Sequence, residues 1–233
     1  MSPLNEHGQP VGAAVPDWQP RPRPARVTLN GGYVALEPID SLHADGLHAA
    51  LCGPDDAALW TYRHDEMPHD REAMAGRVRL LREWAERVTL AIVPTGSPAS
   101  GFASLVRIDA VMGSVEVGGI LYARSLQRTR AATEAMFLLM RYVFDELGYR
   151  RYEWKLDSLN APSAAAARRL GFAYEGRFHN AMVYKGRNRD TDWFAMTDAD
   201  FARLRPTYDA WLDPSNFDDE GRQRRSLSGF SGS

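Results

Sequence analysis

The apolar positions of this chain change period along its length, and the period predicts the elements. From Val27, "VTLNGGYVALEPI" alternates around an Asn-Gly pair at 30–31, which predicts a strand or hairpin. "DSLHADGLHAALCG" then reads as a helix capped by Asp40 or Ser41 and stopped by Gly53-Pro54. Residues 70–87 bring Met74, Val78, Leu81 and Trp84 or Ala85 onto one helical stripe. Strands are predicted at 89–94, 101–109 and 114–122, and the short links "TGSPAS" and "DAVMGS" suggest an antiparallel meander.

The longest stripe begins near Arg130. Ala132, Ala135, Met136, Leu139, Met140, Val143, Phe144 and Leu147 share one face of a helix that Gly148 ends. "RYEWKLD" (151–157) is a strand, and "APSAAAARRLG" a helix with Pro162 in its first turn and Gly171 as its stop. "FAYEGRFHNAMVYKG" and "TDWFAMT" read as a strand pair around a polar turn "GRNRD", followed by a short helix "DADFARLRP". No internal repeat is present. The expected organisation is a Pro-rich arm over 1–26, one domain over 27–212 and a polar tail over 213–233. Six of the 14 prolines fall in the arm, which is read either as a flexible tail or as a segment anchored through Trp18 to the domain or to a second subunit.

Composition narrows the function. With 233 residues, 44% hydrophobic, the chain can bury a real core. A formal net charge of -2 gives no basic footprint for DNA or RNA. One cysteine, Cys52, rules out an internal disulfide and a cysteine-built zinc cluster, and its setting in "LHAALCGP" reads as core packing. No apolar run approaches the ~20 residues of a membrane span. The N-terminal stretch lacks the apolar region of a signal peptide, so a cytoplasmic address is expected.

Candidate chemistry begins at "SLQRTRAATEA" (125–135), a polar turn that runs from a strand into the long helix. The first amides of a helix lack internal partners and carry the positive end of its dipole, so anions settle there. By itself a helix start rich in Thr and Arg fits a solvated cap equally well. The wider context does not. "EVG" at 116–118, the turn with "ATEA", "N-x-x-S" at Asn160–Ser163 and "RLGF-x-x-EG" at 169–176 occur in the order and spacing of one family. Over about 89 to 200 the chain resembles the GNAT superfamily of acyl-CoA-dependent N-acyltransferases, in the branch typified by ribosomal-protein-alanine N-acetyltransferases.

The resemblance implies an α/β fold with a mixed, mostly antiparallel sheet flanked by helices and splayed where acetyl-CoA inserts between two strands. It implies that the turn Gln127, Arg128, Thr129, Arg130, Ala131, Ala132, Thr133 holds the diphosphate of coenzyme A. Arg130 stands where the family usually has a glycine, and is expected to point outward and clamp a phosphate. Ile120, Leu121 and Tyr122 would pair their backbone with the pantetheine, past Gly118-Gly119, and Asn160 would bond the same arm or cap its helix. Glu116 is the candidate base, through water, and Ser163 the residue facing the thiolate. Trp60, Tyr62 and His64 fall in the acceptor region.

Two departures stand out: alanines occupy the helix where many members place a tyrosine acid, and "HNAMVY" replaces a glutamate found in some relatives. The loop "YRHDEMPHD" (62–70) matches no helical metal motif, and no metal is expected. Lys155, between Glu153 and Asp157, reads as a same-face charge ladder. The expected activity is acetyl transfer from acetyl-CoA to a primary amine, of a small molecule by preference or of a protein N-terminus. The rival is a non-catalytic acyl-CoA-binding or dimerisation module. A homodimer is left open; nucleic acid and membrane are not expected partners.

Overall fold

The alternating segments join in one mixed sheet. A computed structural model of the protein describes residues 2–230. Its strands are β1 (Leu29–Asn30), β2 (Val34–Pro38), β3 (Val88–Pro94), β4 (Gly101–Asp109), β5 (Ser114–Tyr122), β6 (Arg151–Asp157), β7 (Ala173–Tyr184) and β8 (Arg187–Thr197). Its helices are α1 (Ala44–Leu51), α2 (Arg71–Glu83), α3 (Arg130–Arg141), α4 (Ala161–Arg169), α5 (Asp198–Leu212) and the single turn α6 (Leu227–Phe230). The strand order is β1-β2-β3-β4-β5-β6-β8-β7. All neighbours are antiparallel except β5 and β6, which run parallel because α3 crosses between them.

Alternation along the strands sorts the core into two layers. On β3, Leu90 and Ile92 join the cluster around α3, α4 and α5, whereas Ala91 joins Leu47, Met74, Val78 and Leu81 of α1 and α2. The faces differ in how far they are covered. Helices α1 and α2 leave β5, β6 and β8 open on their side, and the site lies there.

β5 and β6 are paired only from Ser114–Val117 against Arg151–Trp154. Beyond that, Gly118–Tyr122 and Lys155–Asp157 continue without pairing to one another. A bulge explains the parting. The β4–β5 register shifts between Phe102↔Leu121 and Ser104↔Gly118, and Gly119 there has φ 60°. A bulged strand bends and twists away from its neighbour.

Several boundaries differ from expectation for identifiable reasons. Of the expected polar turn "GRNRD" only Gly186 lies in the turn. Lys185 and Gly186 alone reverse the chain, with φ 49° and 69°, and Arg187–Asp190 belong to β8. Two successive positive φ values are the signature of a tight hairpin that matches strand twist. Helix α5 passes through Pro206 and ends at Leu212, because burying Phe201, Tyr208 and Trp211 outweighs a proline cost of ~3 kcal/mol. Trp84 lies past the end of α2 and is 52% exposed, so the stripe ends at Leu81.

The terminal segments dock on the domain. Trp18 Nε1 donates to Val111 O at 2.9 Å and Arg21 N to Ala110 O at 2.8 Å, fixing the Pro-rich arm to the β4–β5 turn. The tail expected to be polar sends Phe217 and Leu227 into the core. Residues 231–233 lie outside the described residues.

Candidate active site

Where β5 and β6 part, the sheet opens into a cavity of about 970 Å3. Glu116, Ile120, Gln127, Asn160, Ser163, Tyr62 and His64, separated widely in sequence, all line it. Glu116 projects from the last paired stretch of β5 and is buried, with Oε2 3.1 Å from Lys155 Nζ and 3.6 Å from Arg107 Nε. Burial raises its carboxyl above the ordinary carboxylate range, against the pull of Lys155 and Arg107. A buried carboxylate held this way is a better proton acceptor near neutral pH than an exposed one.

Lys155 reaches Glu116 across the strand gap and Glu153 along its own strand, at 2.9 Å, with the Trp193 ring centroid 3.6 Å away. The expected ladder therefore forms with Glu153 but not with Asp157. Asp157 instead accepts from Tyr184 Oη at 2.7 Å and from Leu159 N at 2.9 Å. Only three-dimensional strand order brings Glu116 beside Lys155, so strand alternation alone misses the pair.

Ser163 stands at the start of α4. Trp154 Nε1 donates to its Oγ at 3.0 Å, and its backbone N donates to Asn160 Oδ1 at 3.2 Å. With the indole filling an acceptor site, the serine's own proton is left to be donated into the cavity. Asn160 thus caps the helix through its side-chain carbonyl oxygen, one of the two roles expected of it.

The opposite wall is a loop. Tyr62 Oη donates to Leu159 O at 3.0 Å, tying that loop to the β6–α4 turn. His64 lies 5.2 Å from the Tyr184 ring, and burial, then Arg189, push its imidazole below the ordinary value. Trp60 does not reach the cavity. It is 1% exposed, bonds Leu51 O through Nε1 at 2.9 Å, and lies beneath the guanidinium groups of Arg63 and Arg77. Arg63 Nη1 donates to Gly119 O at 2.9 Å and Ile120 O at 3.4 Å, so two carbonyls near the expected pantetheine path are engaged. Asp65 pairs with both Arg63 and Arg77.

The turn before α3 is shaped by backbone more than by side chains. Thr129 Oγ1 accepts from Ala132 N at 3.1 Å, and the amides of Arg130 and Ala131 have no partner within the helix. Gln127 Nε2 donates to Tyr122 O at 3.2 Å, joining turn and strand. Arg128 holds φ 63°, an uncommon conformation for a non-glycine residue. Arg130 does not sit over the helix mouth: its guanidinium stacks 4.1 Å from the Tyr33 ring and 5.1 Å from Phe217. Flat rings attract the cation, and this departs from the expected phosphate clamp.

Thr129, Arg130 and Ala131 line a second groove of about 590 Å3 beside Ser97 and Ser125. Ala132 and Thr133 are buried, Thr133 Oγ1 accepting from Arg169 at 3.1 Å. Leu121 faces the core, and Tyr122 Oη points to Ala132 O at 3.5 Å. Arg169 is thus a cation behind the first turn of α3 that sequence reading passed over, although it lies within "RLGF". Cys52 lies outside the cavity, its thiol raised to about 11 by burial and then Asp56, which fits packing.

The Acetyltransferase (GNAT) domain profile matches residues 34–173, which takes in α1 to α4 and the open strand pair. The chain belongs to this family of acetyltransferases. A GCN5-related N-acetyltransferase from Brucella melitensis is 40% identical, with 93% of this chain and 99% of that one covered and a TM-score of 0.91. A GNAT-family protein from Chromobacterium violaceum is 35% identical over 83% of this chain and 98% of that one, with a TM-score of 0.77. The Salmonella typhimurium acetyl transferase that modifies the N-terminal serine of ribosomal protein L7/L12 is 20% identical over 73% and 99%, TM-score 0.64, a likeness of fold. No curated protein matches. No helix among the described residues is long and apolar enough to cross a membrane.

Proposed function

We propose that this GNAT acetyltransferase transfers an acetyl group from acetyl-CoA to a primary amine, of a small molecule or of a protein N-terminus, by direct attack with both substrates bound. The observation that carries this reading is the unpaired edge of β5, with a buried carboxylate and a serine hydroxyl around the same cavity. Acetyl-CoA would supply the activated thioester. The residues at the opening suit it. A Cβ at Gly118 would lie 2.9 Å from Glu116 Oε1 and 3.0 Å from Val106 Cγ2, so glycine keeps the strand edge open beside the carboxylate.

The amides of Arg130 and Ala131 bind the diphosphate, aided by a helix dipole worth roughly 0.3–2 kcal/mol. Alignment of the two reactants accounts for the largest share of the rate, ~7–11 kcal/mol. Glu116 takes the proton of the incoming ammonium, directly or through water, for a gain of roughly 10²–10⁴-fold. Ser163 donates a hydrogen bond to the departing sulfur, which takes its proton from the acylated nitrogen as the amide forms.

The test is calorimetry with coenzyme A followed by thiol release with acetyl-CoA and a panel of amines. Binding, with turnover that collapses in Glu116→Gln, is the expected outcome. No heat at millimolar coenzyme A overturns the reading.

A further inference from the structure

The open face of the sheet holds more positive charge than the reaction requires. Seven basic side chains line the cavity, Arg63, Arg77, Arg87, Arg107, Arg124, Lys155 and Arg189, against three acidic ones, Asp65, Glu116 and Asp157. Most of the bases are engaged. Arg63 and Arg77 pair with Asp65, Arg107 and Lys155 with Glu116, and Arg124 with Asp56.

Arg87 and Arg189 have no acidic partner within ion-pair distance among the described residues, but Arg189 Nε donates to Thr191 Oγ1 at 3.2 Å, whereas Arg87 Nε is buried without a hydrogen-bond acceptor. The Arg87 guanidinium is held in place by the Trp84 ring, 3.9 Å away. Trp193 Nε1, on the floor of the same cavity, is likewise buried and without an acceptor. Arg77 Nε, beside the same cavity, is a third. Buried donors left unmade cost free energy, so a site that keeps them is shaped for a ligand bearing acceptors.

Coenzyme A does not account for them. Its diphosphate, and the 3′-phosphate on the ribose beyond it, are assigned to the first turn of α3, where Thr129, Arg130 and Ala131 line the separate groove beside Ser97 and Ser125, whereas Arg87 and Trp193 line the cavity. Pantetheine follows the β5 edge and carries no charge. The surplus is therefore on the acceptor side.

We propose that the acceptor is a primary amine that also carries an anionic group, a carboxylate or a phosphate, and that Arg87 and Trp193 hold that group while Glu116 draws the ammonium. This rests on the acetyltransferase reading above. The half-buried setting strengthens both attractions relative to water, and the two opposite charges orient the amine along the cavity. An acceptor carrying positive charge alone meets the basic surplus and is disfavoured.

The experiment measures binding to protein saturated with coenzyme A, so that a failure to bind coenzyme A is recorded first and separately. Matched probes differ only in the anion: β-alanine against β-alaninamide, and O-phosphoethanolamine against ethanolamine. The anionic member of at least one pair is expected to bind about tenfold to a hundredfold more tightly, the range of a charge-assisted hydrogen bond. Which pair shows the larger gap distinguishes carboxylate from phosphate. Arg87→Gln and Trp193→Phe, the second keeping a ring under Lys155, each shrink that gap without changing affinity for coenzyme A. Equal binding within both pairs, or preference for the neutral member, overturns the inference while leaving the acetyltransferase reading in place. A gap that survives both substitutions overturns the roles given to these residues.

Discussion

The two ends of the site are made of different material. At the start of α3, the surface proposed for the diphosphate is backbone: the Thr129 cap, the positive φ of Arg128 and the amides of Arg130 and Ala131, which have no partner within the helix. On the open face of the sheet, the surface proposed for the acceptor is made of side chains from separate segments, Glu116, Lys155, Arg87 and Trp193, which line one cavity. A backbone surface recognises a constant group and tolerates side-chain change. A side-chain surface recognises whatever its residues select, and single substitutions alter it.

The largest effect separating the two is expected at Glu116. Glu116→Gln lowers kcat by roughly 10²–10⁴-fold and leaves the affinity for coenzyme A unchanged. Its pH signature has a definite sign. The ionised carboxylate is the active form and burial raises its pKa above the ordinary 4.5, so kcat/KM rises with pH through a limb lying above that value. The limb is lost in the Gln variant. A pH–rate profile with the same limb in both proteins would remove Glu116 as the base.

On the helix side the largest effect is on stability. Glu134 is buried on α3, and its carboxylate accepts from Gly32 N at 2.8 Å and Tyr33 N at 2.7 Å. Glu134→Ala leaves both amides unpaired and is expected to cost about 2–3 kcal/mol in denaturant unfolding, with little change in KM for the amine. A stability matching the parent would show that water replaces the carboxylate.

Smaller effects sharpen the contrast. Ser163→Ala removes a hydroxyl that accepts from Trp154, and lowers kcat by about tenfold while costing ~1 kcal/mol of stability. Arg128→Gly is expected to stabilise the protein by about 1 kcal/mol through relief of its left-handed backbone. Because the cradle is backbone, affinity for coenzyme A stays within a few-fold of the parent. A loss of about tenfold or more would instead make the Arg128 guanidinium a phosphate ligand.

The same division explains what the sequence disclosed. Strands β4, β5 and β6 coincide with the segments read at 101–109, 114–122 and 151–157. Burial alternates along β6, whereas the first half of β4 and residues 115–118 of β5 are buried throughout and stand out as apolar runs between turns. The start of α3 was legible because its cap and first turn form one contiguous stretch, with Thr129 capping a helix that begins at Arg130. Lys155 with Glu116 was not, since the pair crosses a strand gap and joins residues from two segments. The stacking of Arg130 was not legible either, because the rings that hold it, Tyr33 and Phe217, lie far apart in the chain. Trp60 was placed in the acceptor region by resemblance, but it bonds Leu51 O beneath Arg63 and Arg77 and does not line the cavity.

The central claim is that coenzyme A lies in the gap between β5 and β6, and a crystal structure of the complex tests it most directly. The account predicts diphosphate oxygens bonded to the amides of Arg130 and Ala131, pantetheine along Gly118–Tyr122, and the thiol beside Ser163. Coenzyme A bound elsewhere, with that strand edge bare, would contradict it.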